Sequence, residues 1–185
     1  MEYFRKIFKE SIIIVIISSL MGLVSGTFLA SNQGILITFP IIVLILPSLN
    51  SLIGDIATVL TSRLTSHLYI GTLPPKIQIS ERLKKDFLGL LITLFLSLAV
   101  LLILGFIVGI LTDIEILNPF FIILIVILTI SILFSTLFTF LFIGSIFIFK
   151  RGRDPNNFLI PFVTSLADFL TPLLLIIFIQ IFLLN

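Results

Sequence analysis

Apolar residues in this chain do not alternate with polar ones, nor do they mark a single helical face; they continue in long runs separated by short polar connections. A helix needs about 20 mostly apolar residues to cross a hydrocarbon core about 30 Å thick. Five segments reach that length: Ser11 to Ala30, Ile35 to Ser66, Phe87 to Leu111, Pro119 to Phe149 and Phe158 to Leu184. Barrel strands would instead appear as ten-residue stretches of alternating character, so a barrel is excluded. The expected fold is therefore an all-α integral membrane protein with five transmembrane helices. The second segment carries Pro40, Pro47, Gly54 and a group of polar residues, which predicts a long but interrupted span. The fourth, 31 residues long, exceeds the membrane thickness and is expected to tilt or kink, with Gly144 the natural place. The fifth contains Pro161 and Pro172. No linker divides the chain, so residues 1–185 are expected to form a single domain.

Composition removes whole classes of function. Of 185 residues, 59% are hydrophobic and 11% charged, and the mean hydropathy is +1.35. Soluble domains average about 45–50% apolar and about 25% charged residues, so a soluble enzyme, a nucleic-acid binder and a disordered regulator are all ruled out. The chain has no cysteine, hence no disulfide framework, Fe–S cluster or thiolate metal site. Its single histidine, His67, cannot build a His-based catalytic metal centre.

The eleven basic residues fall in three places. Arg5, Lys6 and Lys9 precede the first span; Arg63, Lys76, Arg82, Lys84 and Lys85 surround the second connection; Lys150, Arg151 and Arg153 separate the last two spans. The connections SNQG and TDIEILN have none. This alternation predicts a cytoplasmic amino terminus and cytoplasmic basic loops, with Asn185 outside, in a multi-pass protein of the cell (plasma) membrane. The first apolar segment exceeds the about 7–15 residues of a signal-peptide core and so is expected to remain as a span. Its leader, MEYFRKIFKE, is expected to lie along the inner interface with Phe4, Ile7 and Phe8 in lipid. The cluster Arg82, Lys84 and Lys85 is a topology anchor in reach of anionic lipid.

Acidic residues narrow the chemistry further. A carboxylate at mid-membrane costs at least about 2.5–3.5 kcal/mol and therefore normally faces a cavity or a partner. Seven of the nine acidic residues lie in the leader or the connections; Asp55 and Asp168 do not. Around them the chain reads LPSLNSLIGDIATVLTSRL and DPNNFLIPFVTSLADFLTP, where hydroxyls, amides, proline and glycine gather within a span. Interrupted helices of this kind expose carbonyls and bind ions. Helical spacing places Thr164, Asp168 and Thr171 on one face, and Ser51, Asp55, Thr58 and Ser62 on another, with Asn50 and Gly54 on its adjoining edge. Such an all-oxygen set suits a hard divalent cation, Mg²⁺ or Ca²⁺, and suits soft metals poorly. A plainer alternative is that the hydroxyls bond back to their own helices and hold neighbours together.

These residues resemble the MgtE family of magnesium transporters and channels, and still more the animal solute carriers related to it. PSLNSLIGDIATVLTSRL, from Pro47 to Leu64, is similar to the family's second helix, in which a proline, then Gly-Asn, precede a polar stretch often closed by Ser-Arg-Leu. Gly54-Asp55 stands where Gly-Asn would be. Asp154-Pro155, Pro161-Phe162-Val163-Thr164 and Asp168 resemble the fifth helix, with Asp-Pro ahead of Pro-Phe-x-Thr-x-x-x-Asp. The likeness covers almost the whole chain, although only these two motifs are specific. It implies a homodimer whose second and fifth helices line a cation pathway on the two-fold axis, with Asp168 facing its symmetry mate across a largely hydrated Mg²⁺, the transported ion. It also implies a pathway more negative than usual, because Asp55 replaces an asparagine. The bacterial members have a cytoplasmic magnesium-sensing region with CBS domains, and no part of this sequence is expected to form one. The animal relatives fuse two five-helix halves, so this single half is expected to pair with a second copy.

The residues expected to line the site are thus Asp168, Asp55, Thr164, Asn50, Ser51, Thr58 and Asp154, the last either in the inner vestibule or neutralising Arg151 and Arg153. Arg63 is expected to snorkel at the inner end of the second helix, and His67 to sit at the same interface. Two competing functions remain: an intramembrane aspartyl protease using Asp55 and Asp168 as an acid–base dyad, and a non-transporting scaffold subunit. The protease reading is weakened by Leu52 where the Gly-x-Gly-Asp motif has its first glycine, and by the lack of Tyr-Asp or Pro-Ala-Leu. The expected activity is divalent cation transport, with lipid, divalent cations and a second copy as partners and no nucleic acid.

Overall fold

The computed structural model describes residues 2–183; for residues 2–7 and 9–11 the backbone alone is described. It is all-helical, with no strand among the described residues: α1 (Glu2–Ser31), α2 (Gln33–Thr38), α3 (Pro40–Ile70), α4 (Glu81–Leu111), α5 (Pro119–Lys150) and α6 (Pro155–Leu183). All but the short α2 are long and apolar enough to cross a membrane.

Several helix ends differ from expectation for local reasons. The interruption of the second segment falls at Phe39 and not at Pro47. Pro40 lacks an N–H and disfavours the helical region for its predecessor, so Phe39 adopts φ −124°, ψ 69° and α3 starts afresh at Pro40. Pro47, Pro161 and Pro172 lie inside helices that continue past them. α4 begins at Glu81, six residues before Phe87, because Ser80 Oγ accepts a hydrogen bond from Leu83 N at 3.1 Å and caps the helix. α5 runs unbroken through Gly144, against which Leu159 packs. The basic leader is continuous with α1 rather than a separate interfacial helix, since no proline or glycine divides them. The side chains of Phe4 and Ile7 and the position of Asn185 lie outside the described residues; Phe8 is exposed.

α3 is the hub of the bundle, contacting α4, α5 and α6, while α1 leans on α6. Half of the apolar stretch of α3 is buried, against 11% of that of α1. Leu49, Ile53, Leu60 and Leu64 of α3 meet a core formed by Ile122, Ile125 and Leu133 of α5, Val163 and Ile179 of α6, and Leu94 and Leu98 of α4. α4 approaches α3 most closely through Gly105 and Gly109. A methyl group on Gly105 would lie 2.7 Å from Ile45 Cγ2, and one on Gly109 would lie 2.9 Å from Ile41 Cδ1. A Gly-x-x-x-Gly pair at a helix contact allows this approach, and dispersion between the close-packed surfaces holds it in lipid. Beside that contact lies an apolar groove of about 630 Å³, lined by Ile45 and Gly105 themselves and by Ser48 and Ser97 among others.

Candidate functional site

α3 presents one polar, outward face. Pro47, Ser48, Ser51 and Asp55 are exposed, and Thr58 and Ser62 are half-buried on the same side. On α6, Asn157 and Asp168 are exposed, with Pro161 and Thr164 half-buried between them. The two faces meet at Gly54, where an added Cβ would lie 3.7 Å from Thr164 Cγ2. Gly54 is buried at this junction, and a methyl group there would make only an ordinary contact with Thr164.

The carboxylates of Asp55 and Asp168 make no hydrogen bond or ion pair among the described residues. No group of three or more acidic or histidine side chains that could hold a metal occurs among them either. Two acidic groups therefore stand in apolar spans without a compensating partner among the described residues. Asn50, on the adjoining edge, has a buried Oδ1 with no hydrogen-bond partner. A buried amide oxygen without a donor is costly, and it can act as a ligand.

Other expected members are differently employed. Thr164 Oγ1 bonds to Ile160 O and Pro161 O at 3.1 and 3.0 Å, so its hydroxyl hydrogen is directed at its own helix. Thr171 is separated from the face of Asp168: it is fully buried and donates to Ala167 O at 2.7 Å. Asp154 Oδ1 accepts from Asn156 N at 2.9 Å at the start of α6. It makes no ion pair with Arg151 or Arg153 among the described residues; those guanidinium groups lie over the rings of Phe147 and Phe158, at 4.0 and 5.6 Å.

The backbone of Asp168 is held from α1. Pro172 has no N–H to give the carbonyl four residues earlier, which would leave Asp168 O without its helical partner. Ser25 Oγ donates to that oxygen at 2.8 Å, and Ser18 Oγ donates to Pro161 O at 3.1 Å. Each pair is seven residues apart along its helix, so one face of α1 registers with one face of α6. Neither serine was singled out from the sequence, although their sevenfold spacing opposite Pro161 and Asp168 was available as a signal.

Asp86 is the larger surprise. Counted among the connections in the sequence, it is 3% exposed on the second turn of α4. Arg63 donates to Asp86 Oδ1 from both Nε, at 2.9 Å, and Nη2, while His67 Nε2 lies 3.1 Å from Oδ2. Arg63 is thus fixed by a buried carboxylate as well as reaching the interface, with its side chain half exposed. His67, expected at the interface, is buried. The Ser80 cap would have revealed this from sequence. Starting the helix at Glu81 puts Asp86 four residues before Leu90, the first of the buried series Leu90, Leu94, Leu98 and Leu102.

Comparison with known families gives one match: the model of the family described as MgtE, divalent cation transporter, aligns with residues 46–178. That range runs from the first third of α3 through most of α6 and contains every residue named on the two polar faces. No curated protein and no solved structure matches the chain.

Proposed function

Because the chain belongs to the MgtE family of divalent cation transporters, a family of transporters and not of enzymes, we propose that it carries Mg²⁺ across the plasma membrane as a homodimer. In this reading the polar faces of α3 and α6 from two copies enclose the pathway. The observation that carries the reading is the pair of unpartnered, exposed carboxylates, Asp55 and Asp168, on adjoining faces of two apolar helices. Exposed to lipid, each would cost at least about 2.5–3.5 kcal/mol. Facing a second copy across a divalent cation, they would be neutralised where like charges would otherwise repel.

Mg²⁺ gives up its water reluctantly and is commonly held through a few carboxylates and its own hydration shell. A widely spaced set of acidic groups, two from each copy, suits a hydrated ion. Asp168 is the principal ligand, and Asp55 adds negative charge nearer the inner end. Ser51 and Thr58 supply neutral oxygens to the water shell, joined by Asn50 Oδ1 once that oxygen turns out of its buried position, while Asp154 lies at the inner entrance. The charge pattern supports an orientation with the amino terminus and both basic loops in the cytoplasm.

The test is Mg²⁺ uptake into proteoliposomes, with detergent crosslinking to establish the dimer. We expect Asp168→Asn to lower the initial rate by at least about tenfold, the loss of one charge-assisted contact to the ion, while the protein stays monodisperse. A wild-type protein that moves no divalent cation would favour the scaffold reading, and an unchanged rate in Asp168→Asn would remove Asp168 from the pathway.

A further inference from the structure

At the end of the bundle that carries the α3–α4 connection, a separate pocket of about 250 Å³ is lined by Ser62, Arg63, Ser66, His67 and Arg82. We propose that it binds a phosphate group, either the headgroup of an anionic phospholipid or free phosphate. Both guanidinium groups in the pocket are anchored from behind. Arg63 uses Nε and Nη2 on the buried Asp86, and Arg82 Nε donates to His67 Nε2 at 3.3 Å. Arg63 Nη1 and both terminal nitrogens of Arg82 have no acceptor among the described residues, and neither do the hydroxyls of Ser62 and Ser66. Two guanidinium groups with open N–H donors, lining one pocket together with two hydroxyls, form an arrangement suited to phosphate oxygens.

Charge and tautomer chemistry support the same ligand. From Ser62 to Asp86 the chain has five basic residues against two acidic ones. Of the acidic pair, Asp86 is occupied by Arg63, and Glu81 is paired with Lys84 at 3.0 Å. Net positive charge is left at the pocket, where the ends of membrane helices meet the headgroup layer. His67 allows Arg82 to turn toward a ligand without leaving a group unsatisfied. Its Nδ1 lies 3.0 Å from Thr72 Oγ1. With its proton on Nδ1, the ring donates to Thr72 and accepts from Arg82; with the proton on Nε2, it donates to Asp86 and releases Arg82.

The experiment uses the full chain, delipidated in detergent, and reads thermal stabilisation by circular dichroism during titration. The probes are short-chain phosphatidylglycerol, a short-chain diacylglycerol lacking the phosphate, and inorganic phosphate. Phosphatidylglycerol should stabilise the wild type and the diacylglycerol should not. Arg82→Gln should raise the half-saturating concentration at least about fivefold, and Ser66→Val should raise it less. Lys85→Gln, which removes the same charge outside the pocket, should leave it within about twofold. Saturable stabilisation by inorganic phosphate as well assigns the site to any phosphate; stabilisation by the lipid alone assigns it to the headgroup. The proposal is overturned if no probe stabilises the protein, if the diacylglycerol matches phosphatidylglycerol, or if Lys85→Gln weakens binding as much as Arg82→Gln. Because the readout is binding, its outcome is independent of whether the chain moves Mg²⁺.

Discussion

Asp86 and Asp168 are both aspartates on long apolar helices, yet the bundle treats them in opposite ways. Asp86 is buried, and Arg63 and His67 converge on its two oxygens. Asp168 is exposed, its carboxylate has no partner among the described residues, and only its backbone oxygen is satisfied, by Ser25. A carboxylate whose oxygens are filled from within the chain fastens helices together. One whose oxygens are left open in a span must be completed from outside the chain. The contrast separates an acid that fastens helices from one that the proposed transport reading assigns to the ion, by partners rather than by depth along the helix.

The comparison can be broken most directly at the structural end. Asp86→Asn should destabilise the bundle by about 2 kcal/mol, below the about 3–5 kcal/mol of a fully buried pair because half-exposed Arg63 can regain water. Thermal unfolding in detergent measures it. Adding Arg63→Gln should recover part of the loss, and an Asp86→Asn variant as stable as wild type would erase the distinction from Asp168.

The opposite end of α4 sharpens the picture. There the anchor is a close approach without charge, and Gly105→Ala should cost about 1–3 kcal/mol by overpacking. Its new methyl meets Ile45 Cγ2, a branch fixed on a helix, whereas that of Gly109→Ala meets the mobile end of Ile41. Gly109→Ala should therefore cost less, and equal unfolding temperatures for the two variants would contradict the packing described. The smallest effect is expected on the Asp168 side. Ser25→Ala leaves one carbonyl without its donor and should cost about 0.5–1.5 kcal/mol in thermal stability. Transport should change more in Asp168→Asn than in Ser25→Ala if the open carboxylate, and not the backbone contact, serves the ion.

Much of the polar face of α3 in the candidate site could be read along the chain. The exposed series Ser51 and Asp55, with Thr58 and Ser62 half-buried behind it, follows the expected helical spacing, and Gly54 lies on its buried edge. Spacing failed at Thr171, three residues beyond Asp168, because it continues the buried row of Val163 and Ala167 at four-residue intervals. It failed also at Asp86, because α4 starts under the Ser80 cap at Glu81, and not at the apolar run from Phe87.

Apolar length determined the five spans from the sequence alone, because crossing a hydrocarbon layer demands a certain run of apolar residues whatever lies beside it. Proline likewise fixed where a backbone donor would be missing. Which side chains answer those vacancies was decided only by the assembled bundle. In lipid every face of an apolar helix is comfortable, so no gradient of solvent tells one face from another. The meeting of Gly105 with Ile45, of Ser25 with the Asp168 carbonyl and of Arg63 with Asp86 depends on shape and hydrogen bonding between helices distant in the chain.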